Sequence, residues 1–515
     1  HLSPLGVFLG FLAVPIAALL LYVKLSAKGP SFEAQTKGSR KVWRPESTLP
    51  FLENTLEMVL RVPDLHHWIT SLCQHFQGEP FLLKAFGIPD MTVVYSPQAF
   101  EDVFKNEFAC FPKGTFMINN MRDLLGEGIF AVDGAKWVHQ RKTASHLFTM
   151  RSLRDSMTAT VQSHACVLHD VLQRTCDAKK PVDLFKLFNQ FTIEAFAEIG
   201  FGIHMECLSS EDEHPFQTAF DSAQRVIALR FLRPGAFWRL QRLLGVGAEG
   251  RLKKNLKVIN DTVLDIVAQS LKRRNSMQSS NAERGPGAAG GKDIVSLFLD
   301  NVSQNPDFEQ KQFDPQYLRD IVVNFLIAGR DTTAQALSWF FFNLSSHPEV
   351  ERKIRAEIAV ALPELANGTI QTPSMDQVQD LVYLEAALKE TLRLHPSVPF
   401  STKEVAHDVV LSDGTFLRGN TTVGLPFYGM GRMTSVWGPD AETFNPDRWI
   451  NTATGKIKAE STYKFIAFNA GPRLCLGMNL AMLEMKLVVA GLLSNFYLQL
   501  VPGQTVTYDH SLTLP

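Results

Sequence analysis

The chain has 515 residues, 45% of them apolar, and its 51 basic and 52 acidic residues give a net charge of −1. This length allows several domains or one large one, and the apolar content is enough for a sizeable core. The balanced charge does not favour a nucleic-acid-binding protein. The six cysteines include no CxxC pair, which argues against a zinc site or a disulfide framework and indicates a reducing compartment.

The first feature in chain order is an uncharged segment from Leu5 to Val23. As a helix it would be about 28 Å long at ~1.5 Å per residue, which just spans the apolar core of a bilayer. Basic residues follow, so the positive-inside rule places the rest of the chain in the cytosol. We predict a transmembrane anchor over 1–25, a Pro-rich basic hinge over 26–50 and one large domain over 51–515. A cleaved signal peptide is the alternative for the first segment, although its apolar region would usually be shorter and would follow the positive charges.

The remaining pattern is mainly helical. Alternating and β-branched apolar residues from Phe81 to Tyr95 predict a short sheet, and Val409 to Leu417 predicts a β-hairpin. Apolar residues spaced three and four apart from Met150 to Arg274 predict helices. Residues Ser276 to Lys292 are rich in Ser, Gly and Ala and predict a flexible loop between helices. We therefore expect a mainly α protein with a smaller β region.

Trp137 and Arg141 are four residues apart and would share one face of a helix. The chain from Phe111 to Met117, just ahead of them, predicts a loop of aromatic residues with a glycine. The forked side chain of an arginine suits a carboxylate because it can bind both oxygens. Taken alone, the pair is also compatible with an ordinary surface contact.

The strongest helix signal begins at Asp314, an N-cap residue followed by Pro315, and runs to about Ser345. Apolar residues nearly surround this segment, so we expect a buried central helix about 45 Å long. The six residues from Ala328 to Thr333 are unusual for a helix core, because glycine weakens a helix and threonine bends it by bonding to backbone carbonyls. A structural kink and a functional site are both compatible with this run.

Glu390 and Arg393 are three residues apart on a predicted helix, and Arg448 follows downstream. Alone, Glu390 and Arg393 would be a common surface pair.

The last motif is the string from Phe468 to Gly477, a single cysteine in a glycine-bracketed loop followed at once by an apolar helix. Gly471 and Gly477 would permit backbone angles and close approaches that a side chain blocks. A thiolate at such a loop can ligate haem iron, and amide donors around the sulfur would tune it. The alternative is a buried structural cysteine.

The string resembles the haem-binding signature of the cytochrome P-450 family. In that signature a Phe stands seven residues before the Cys, a Gly four before, an Arg two before and a Gly two after. Every position is filled here, by Phe468, Gly471, Arg473, Cys475 and Gly477. The resemblance implies the P-450 fold, with haem b (iron protoporphyrin IX) as cofactor and Cys475 as the ligand of its iron.

The resemblance also assigns roles on the distal side of the haem. Ala328 and Gly329 would leave room above the iron. Thr332 would hydrogen-bond the bound oxygen, and Asp331 would relay protons from solvent.

Two further assignments concern the haem's edge and its proximal side. Trp137 and Arg141 would hold a haem propionate. Glu390, Arg393 and Arg448 would form a buried network that fixes the structure below the iron.

The activity implied is monooxygenation, in which one atom of O2 enters a C–H bond and the other leaves as water. The chain carries no flavin- or dinucleotide-binding glycine motif, so the electrons would come from a separate protein, an NADPH-dependent flavoprotein reductase. We expect a single-pass protein of the endoplasmic reticulum membrane with its catalytic domain in the cytosol. Five basic residues would make the docking face for an acidic reductase, unless they only solubilise the surface: Lys136, Arg141, Lys142, Lys464 and Lys486.

Several stretches resemble the branch of the family that contains plant and fungal fatty-acid omega-hydroxylases. The matching stretches are 124–130, 328–334, 396–399, 413–415 and 468–473. This resemblance implies a long-chain fatty acid oxidised at or near its methyl end.

The substrate would lie in an apolar cavity over the haem, and four residues are expected to border it: Phe116, Ala328, Val398 and Phe400. Alternatives are a monooxygenase of alkanes, sterols or xenobiotics, a haem-thiolate hydroperoxide isomerase and a non-catalytic haem sensor. Intact Asp331 and Thr332 argue against the isomerase, which needs no proton relay.

Overall fold

The computed structural model describes residues 31–33, 37–150, 153, 157–210, 213–284, 293–302 and 314–515. The predicted anchor, Leu5 to Val23, lies outside these residues. Within the described chain, no helix combines the length and the apolar character needed to cross a bilayer.

Helices make up most of the described chain, as predicted. In chain order they are α1 (Thr55–Leu60), α2 (Leu65–His75), α3 (Pro97–Glu101), α4 (Gly114–Leu125), α5 (Gly134–Ser145), α6 (Thr158–Asp177), α7 (Leu184–Phe201), α8 (Pro215–Arg230), α9 (Gly235–Leu244), α10 (Gly247–Arg284), α11 (Ile294–Val302), α12 (Pro315–Ser345), α13 (Pro348–Ala361), α14 (Pro363–Ala366), α15 (Met375–Gln379), α16 (Val382–Leu394), α17 (Phe427–Met430), α18 (Thr434–Trp437) and α19 (Met478–Asn495).

The β region is small and joins segments that are far apart in the sequence. Its strands are β1 (Ser31–Glu33), β2 (Val42–Arg44), β3 (Phe81–Leu83), β4 (Met91–Val93), β5 (Ser401–Val405), β6 (Val409–Val410), β7 (Phe416–Leu417) and β8 (Thr421–Leu425). One sheet has the order β1-β2-β3-β4-β8-β5, and β6 pairs with β7. The antiparallel pair β3–β4 confirms the predicted short sheet, and the antiparallel pair β6–β7 confirms the predicted hairpin.

The long helix α12 has the bounds that the sequence predicts. The Asp314 side chain caps it by accepting a hydrogen bond from the Gln316 backbone at 2.9 Å, and Pro315 occupies the first turn. Buried residues lie on all sides of it, among them Ile321, Leu326 and Phe340. It packs most extensively against α7 and also contacts α10, α16 and α19, so it runs through the centre of the fold.

Three local predictions differ from the structure. Helix α10 continues to Arg284, into the stretch that we expected to be a loop, because a helix that is already formed extends at little cost through Ser, Asn and Ala. Only the first part of the predicted loop from Phe111 to Met117 is a loop, since α4 begins at Gly114. Residues 42–44 of the predicted hinge form strand β2 of the main sheet, and Arg40 pairs with Glu79 at 3.1 Å.

Candidate active site

Cys475 lies in the loop that leads into α19. A turn of 3₁₀-helix, Gly471–Arg473, precedes it, and the Cys475 backbone N–H donates to the Phe468 carbonyl at 2.9 Å. Gly471 has a φ of +60°, and a Cβ there would lie 2.0 Å from the backbone oxygen of Phe104. The predicted need for glycine is therefore confirmed at Gly471, both by its backbone angle and by its close contact.

Gly477 differs, because its φ of −87° is ordinary and a Cβ there would lie 3.7 Å from Phe148. The prediction of an unusual backbone angle at Gly477 is wrong. Its backbone instead acts on the sulfur: burial raises the pKa of the Cys475 thiol, while the backbone of Gly477, the charge of Arg141 and the backbone of Met478 lower it. The Cys475 side chain is nevertheless exposed, so its sulfur is accessible to a ligand.

A cavity of about 310 Å³ extends between the Cys475 loop and α12. Asn469 of that loop lines it together with Ala328 and Thr332 of α12. The Thr332 hydroxyl donates to the Ala328 carbonyl at 2.8 Å, and the Ser397 hydroxyl donates to the Thr332 carbonyl at 2.8 Å. The threonine hydroxyl is thus held at the wall of the cavity.

Gly329 does not line this cavity. A Cβ at Gly329 would lie 2.2 Å from the ring of Phe196 on α7, so this glycine allows the two helices to pack closely. The prediction that Gly329 leaves room above the iron is wrong for this reason, whereas Ala328 does line the cavity.

Asp331 also lies away from the cavity lining. Its carboxylate accepts hydrogen bonds from Gln224 at 2.7 Å and from Arg330 at 2.9 Å, and Arg330 also pairs with Asp221 at 2.6 Å. Burial raises the pKa of Asp331 to about 6, although Arg330 opposes that shift. The structure thus brings Thr332, and not Asp331, to the cavity, and the proton relay through Asp331 stays a prediction.

Three basic residues, Lys113, Lys403 and Arg473, interact with the carboxylate of Asp133, and Arg141 lies close to Arg473. We call these four basic residues the cationic group. Arg473 pairs directly with Asp133. Burial and the neighbouring positive charges lower the pKa of Lys113 well below its usual value and that of Lys403 to about 7. The predicted pair contributes to this group, since Arg141 lies 5.9 Å and Arg473 4.3 Å from the ring centre of Trp137.

Haem b carries two propionate carboxylates, and a protein that binds it must neutralise their charge. The cationic group shows whether this protein can do so. The buried Nε of Arg473 has no hydrogen-bond partner within the described chain. Lys403 is only 4% exposed, and its Nζ lies 5.9 Å from the ring centre of Phe104. Buried basic groups in excess of their carboxylates, whose pKa values burial lowers, would regain full charge beside an added anion. The residues therefore fit haem b, with Cys475 as the thiolate ligand and the cationic group at its carboxylates.

The sequence did not identify Lys113 and Lys403 as part of this group. Lys113 stands in a stretch that we interpreted as apolar and aromatic. The burial of Lys403 could have been predicted, because β-strand alternation places it on the same face as Val405, which is buried. A lysine on the buried face of a strand indicates an anion nearby.

The three predicted members of the proximal network are joined in the structure, and their role below the iron stays a prediction. Glu390 is fully buried, and its carboxylate accepts from Arg393 at 2.8 Å and from Arg448 at 3.0 Å. Trp449 adds a hydrogen bond from its indole N–H at 2.9 Å. Asp447 is not a member, because it pairs with Lys353 at the surface.

Three of the five basic residues expected at a docking face are paired with carboxylates, and the docking face itself stays a prediction. Lys486 is buried and pairs with Glu385 at 2.7 Å, so the expectation that it lies on a docking face is wrong. Lys136 pairs with Glu127 at 2.7 Å and Lys464 pairs with Glu460 at 3.0 Å. These carboxylates offset the positive charge that the two lysines would add to the surface.

The four residues expected to border the substrate all line the cavity, and their contact with substrate stays a prediction: Phe116, Ala328, Val398 and Phe400. Sequence reasoning missed the C-terminal contribution to the lining, from His510 to Thr513. That segment follows no motif, and only the folding of the chain brings it to the cavity.

Comparisons with known proteins agree with this site. The sequence profile of the family described as cytochrome P450 matches residues 44–513. The chain is 35% identical to "Cytochrome P450 86B1" of Arabidopsis thaliana, over 88% of this chain and 80% of that protein. It is 33% identical to "Cytochrome P450 704C1" of Pinus taeda, over 96% of each chain. It is 32% identical to "Alkane hydroxylase MAH1" of Arabidopsis thaliana, over 90% of each chain.

Proposed function

The chain belongs to the cytochrome P450 family of haem-thiolate monooxygenases, and from this premise we propose that it hydroxylates long-chain fatty acids at or near their methyl end. The observation that carries the proposal is the cavity, which meets α12 at Ala328 and Thr332 and is walled mainly by apolar side chains. An alkyl chain gains most from such a site, because burying apolar surface is its main source of binding free energy.

Aromatic rings narrow the cavity. Phe116 and Phe231 meet edge to face with ring centres 5.8 Å apart, and Phe130 and Phe400 also line the space. The carbon next to a terminal methyl has weaker C–H bonds and would react first in an open site. A narrow passage between rings favours the methyl group, because only the end of the chain fits through it.

Bound haem supplies the activation of O2, and the residues of this chain hold the cofactor and manage protons around it. The cationic group would neutralise the two carboxylates of the haem. Arg141 also donates to the Leu474 carbonyl at 2.7 Å and so fixes the loop that carries Cys475.

On the distal side, Thr332 presents a hydroxyl oxygen at the cavity wall, and its proton would have to leave the Ala328 carbonyl before it could be donated there. Asp331, with a pKa near 6, can exchange a proton close to neutral pH. It would reach the cavity only by giving up its bond to Gln224 or Arg330.

Electrons would come from a separate NADPH-dependent flavoprotein reductase. The support for this part is that the two Gly-x-Gly-x-x-Gly runs of the chain, 245–250 and 285–290, come after helices α9 and α10, whereas a dinucleotide-binding motif follows a strand. Reconstitution with and without such a reductase tests it directly, since product should depend on both NADPH and the second protein.

The experiment that tests the substrate uses the purified haem-loaded protein with a reductase, fatty acids of C12 to C18, the matched alkanes and a set of sterols, and analyses products by mass spectrometry. We expect acids hydroxylated mainly at the terminal carbon. Oxidation mainly within the chain would contradict the terminal assignment, and turnover of sterols alone would contradict the substrate class. Alkanes are a specific second candidate, because one relative carries the name alkane hydroxylase and the cavity is largely apolar.

The proposal extends to the membrane of the endoplasmic reticulum. Five exposed apolar side chains form what we call the apolar patch: Leu60, Phe86, Phe237, Leu240 and Leu243. Gly87 contacts Pro234, just ahead of α9, so the α9 part of the patch adjoins the segment that carries Phe86. The cavity is lined by neighbouring residues of the same segments, including Ile88 and Phe231. A lipid surface against this patch would cover the apolar area and deliver a lipid-soluble substrate to the cavity.

A further inference from the structure

We propose that His510 binds the carboxyl group of the fatty acid inside the cavity and so selects acids over alkanes. The inference rests on the proposed function, since it names the part of the substrate that one residue of the same site recognises.

The chain around His510 is held in place at its start by two other elements. The Tyr508 hydroxyl accepts a hydrogen bond from the backbone N–H of His66, at the start of α2, at 3.0 Å. Asp509 pairs with Arg225 of α8 at 2.7 Å. Because both neighbours are tied to separate helices, the His510 ring is presented to the cavity by a fixed backbone.

The other end of the segment is fixed against the reactive wall of the cavity. Thr513 accepts a hydrogen bond from Gln335 of α12 at 2.7 Å, and the Leu514 backbone donates to the Ser397 carbonyl at 3.0 Å. Ser397 in turn donates to the carbonyl of Thr332. The short segment from His510 to Thr513 therefore runs along the cavity between the proposed head-group site and Thr332.

The imidazole of His510 lies beside the backbone of Ala228, which raises its pKa against the larger, lowering effect of burial. Both of its ring nitrogens are buried, and neither meets the full geometry of a hydrogen bond within the described chain. A buried polar group without partners costs free energy and calls for an explanation, which a ligand oxygen supplies.

A carboxyl group matches this position better than other oxygen groups. In the empty cavity burial favours a neutral His510, and a carboxylate beside it would favour the charged form with two N–H donors. One donor would face the ligand and the other the Ala228 carbonyl. His66 also lines the cavity and is buried, and its pKa is lowered to about 3 by burial and, next, by the charge of His510, so the two rings share one region. Lys113 lines the cavity too, but it belongs to the cationic group assigned to the haem carboxylates.

The test compares three ligands of equal chain length in one protein. Full-length haem-loaded protein is titrated with dodecanoic acid, its methyl ester and dodecane, and the dissociation constants are read from the substrate-induced change in the haem spectrum. In His510→Phe we expect binding of the acid to weaken about tenfold or more, the loss of one hydrogen bond to a charged group. The ester and the alkane should change by about twofold or less. His510→Gln, which keeps an N–H donor, should retain part of the affinity for the acid.

His204→Phe is the matched control, because it makes the same change at an exposed histidine, and it should leave all three dissociation constants unchanged. Comparing the three dissociation constants within one variant separates a loss of carboxyl recognition from a general loss of folding, which would weaken binding of all three ligands. Equal weakening of all three ligands, or an unchanged constant for the acid, would overturn the inference. A wild-type protein that binds and oxidises dodecane but not the acid would overturn the inference and leave alkyl hydroxylation standing. Binding and turnover of sterols with neither the acid nor the alkane would overturn both.

Discussion

The carboxyl group of Glu484 hydrogen-bonds the side chain of Thr333, so the helix that follows the Cys475 loop is joined directly to the helix that lines the cavity. Both side chains are buried. Burial raises the pKa of Glu484 to about 8, and the bond to Thr333 only partly opposes this shift. The carboxyl group is therefore mainly protonated at neutral pH.

The first prediction follows from that pKa. Between the ordinary glutamate value of 4.5 and about 8, the folded protein holds a proton on Glu484 that the unfolded chain has released. Stability should therefore fall as pH rises through this window and level off above it, by up to about 1 kcal/mol per pH unit. Glu484→Gln keeps a hydrogen-bond donor but does not titrate. The melting temperature of this variant minus that of the wild type should therefore be larger at pH 8 than at pH 5. The control is Glu364→Gln at the surface, and an equal difference at both pH values would contradict the prediction.

The second prediction concerns the iron ligand. Cys475→Ser should abolish the absorption band near ~450 nm of the reduced CO complex, because that band reports the thiolate bond. Cys176→Ser, at an exposed cysteine elsewhere, is the control and should keep the band. A Cys475→Ser protein that retained both the band and turnover would require another ligand.

The third prediction tests the cationic group at Lys403. Lys403→Met removes a buried charge but keeps most of the side-chain volume, so bound haem should be lost faster and the purified protein should contain less of it. Lys403→Arg should retain more, because it keeps the positive charge. Lys136→Met, at the surface, should match the wild type. Haem content and the rate of haem transfer to an acceptor protein provide the measurement. Equal haem retention in Lys403→Met would show that Lys403 does not hold a propionate.

The features that could be predicted from the sequence are those encoded by residues close together or by a known spacing. Asp314 and Pro315 specify the start of α12 because capping is local chemistry. Glu390 and Arg393 are one helical turn apart, and the family pattern added Arg448.

The features that could not be predicted depend on packing between distant segments. Gly329 was interpreted as open space, yet it accommodates Phe196, which comes from another helix. Asp331 was assigned a relay of protons from solvent, yet Gln224 and Arg330 hold its carboxylate away from the cavity lining. His510 reaches the cavity only through the fold of the C-terminal segment. In each case the environment of the residue depends on a contact with a segment that is distant in the sequence. No local sequence pattern encodes such a contact.

The fourth prediction concerns proton delivery. Thr332→Ala should still bind haem and substrate but should release more reducing equivalents as hydrogen peroxide, because a methyl group offers no hydrogen bond at the cavity wall. We expect kcat to fall about tenfold or more with little change in substrate binding, which marks an interaction made in the reaction step. Thr332→Ser keeps the hydroxyl and should remain largely coupled. Product formed per NADPH consumed is the measurement, and full coupling in Thr332→Ala would show that water alone delivers the protons.

The last prediction concerns the apolar patch. Leu240 and Leu243 lie on α9 with 54% and 82% of their area exposed, so their replacement by glutamate should not disturb the core. In a protein that begins at residue 31, which keeps strand β2, Leu240→Glu with Leu243→Glu should weaken binding to phospholipid vesicles about tenfold or more, because each change removes apolar contact and adds a charge that must be desolvated. Val360→Glu makes the same kind of change at an 85% exposed apolar residue on α13 and should bind vesicles like the parent protein. Co-sedimentation with vesicles provides the measurement, and the haem spectrum should be the same in all three proteins. If Val360→Glu weakened binding as much as the α9 changes, the effect would come from net charge and not from contact between the patch and lipid.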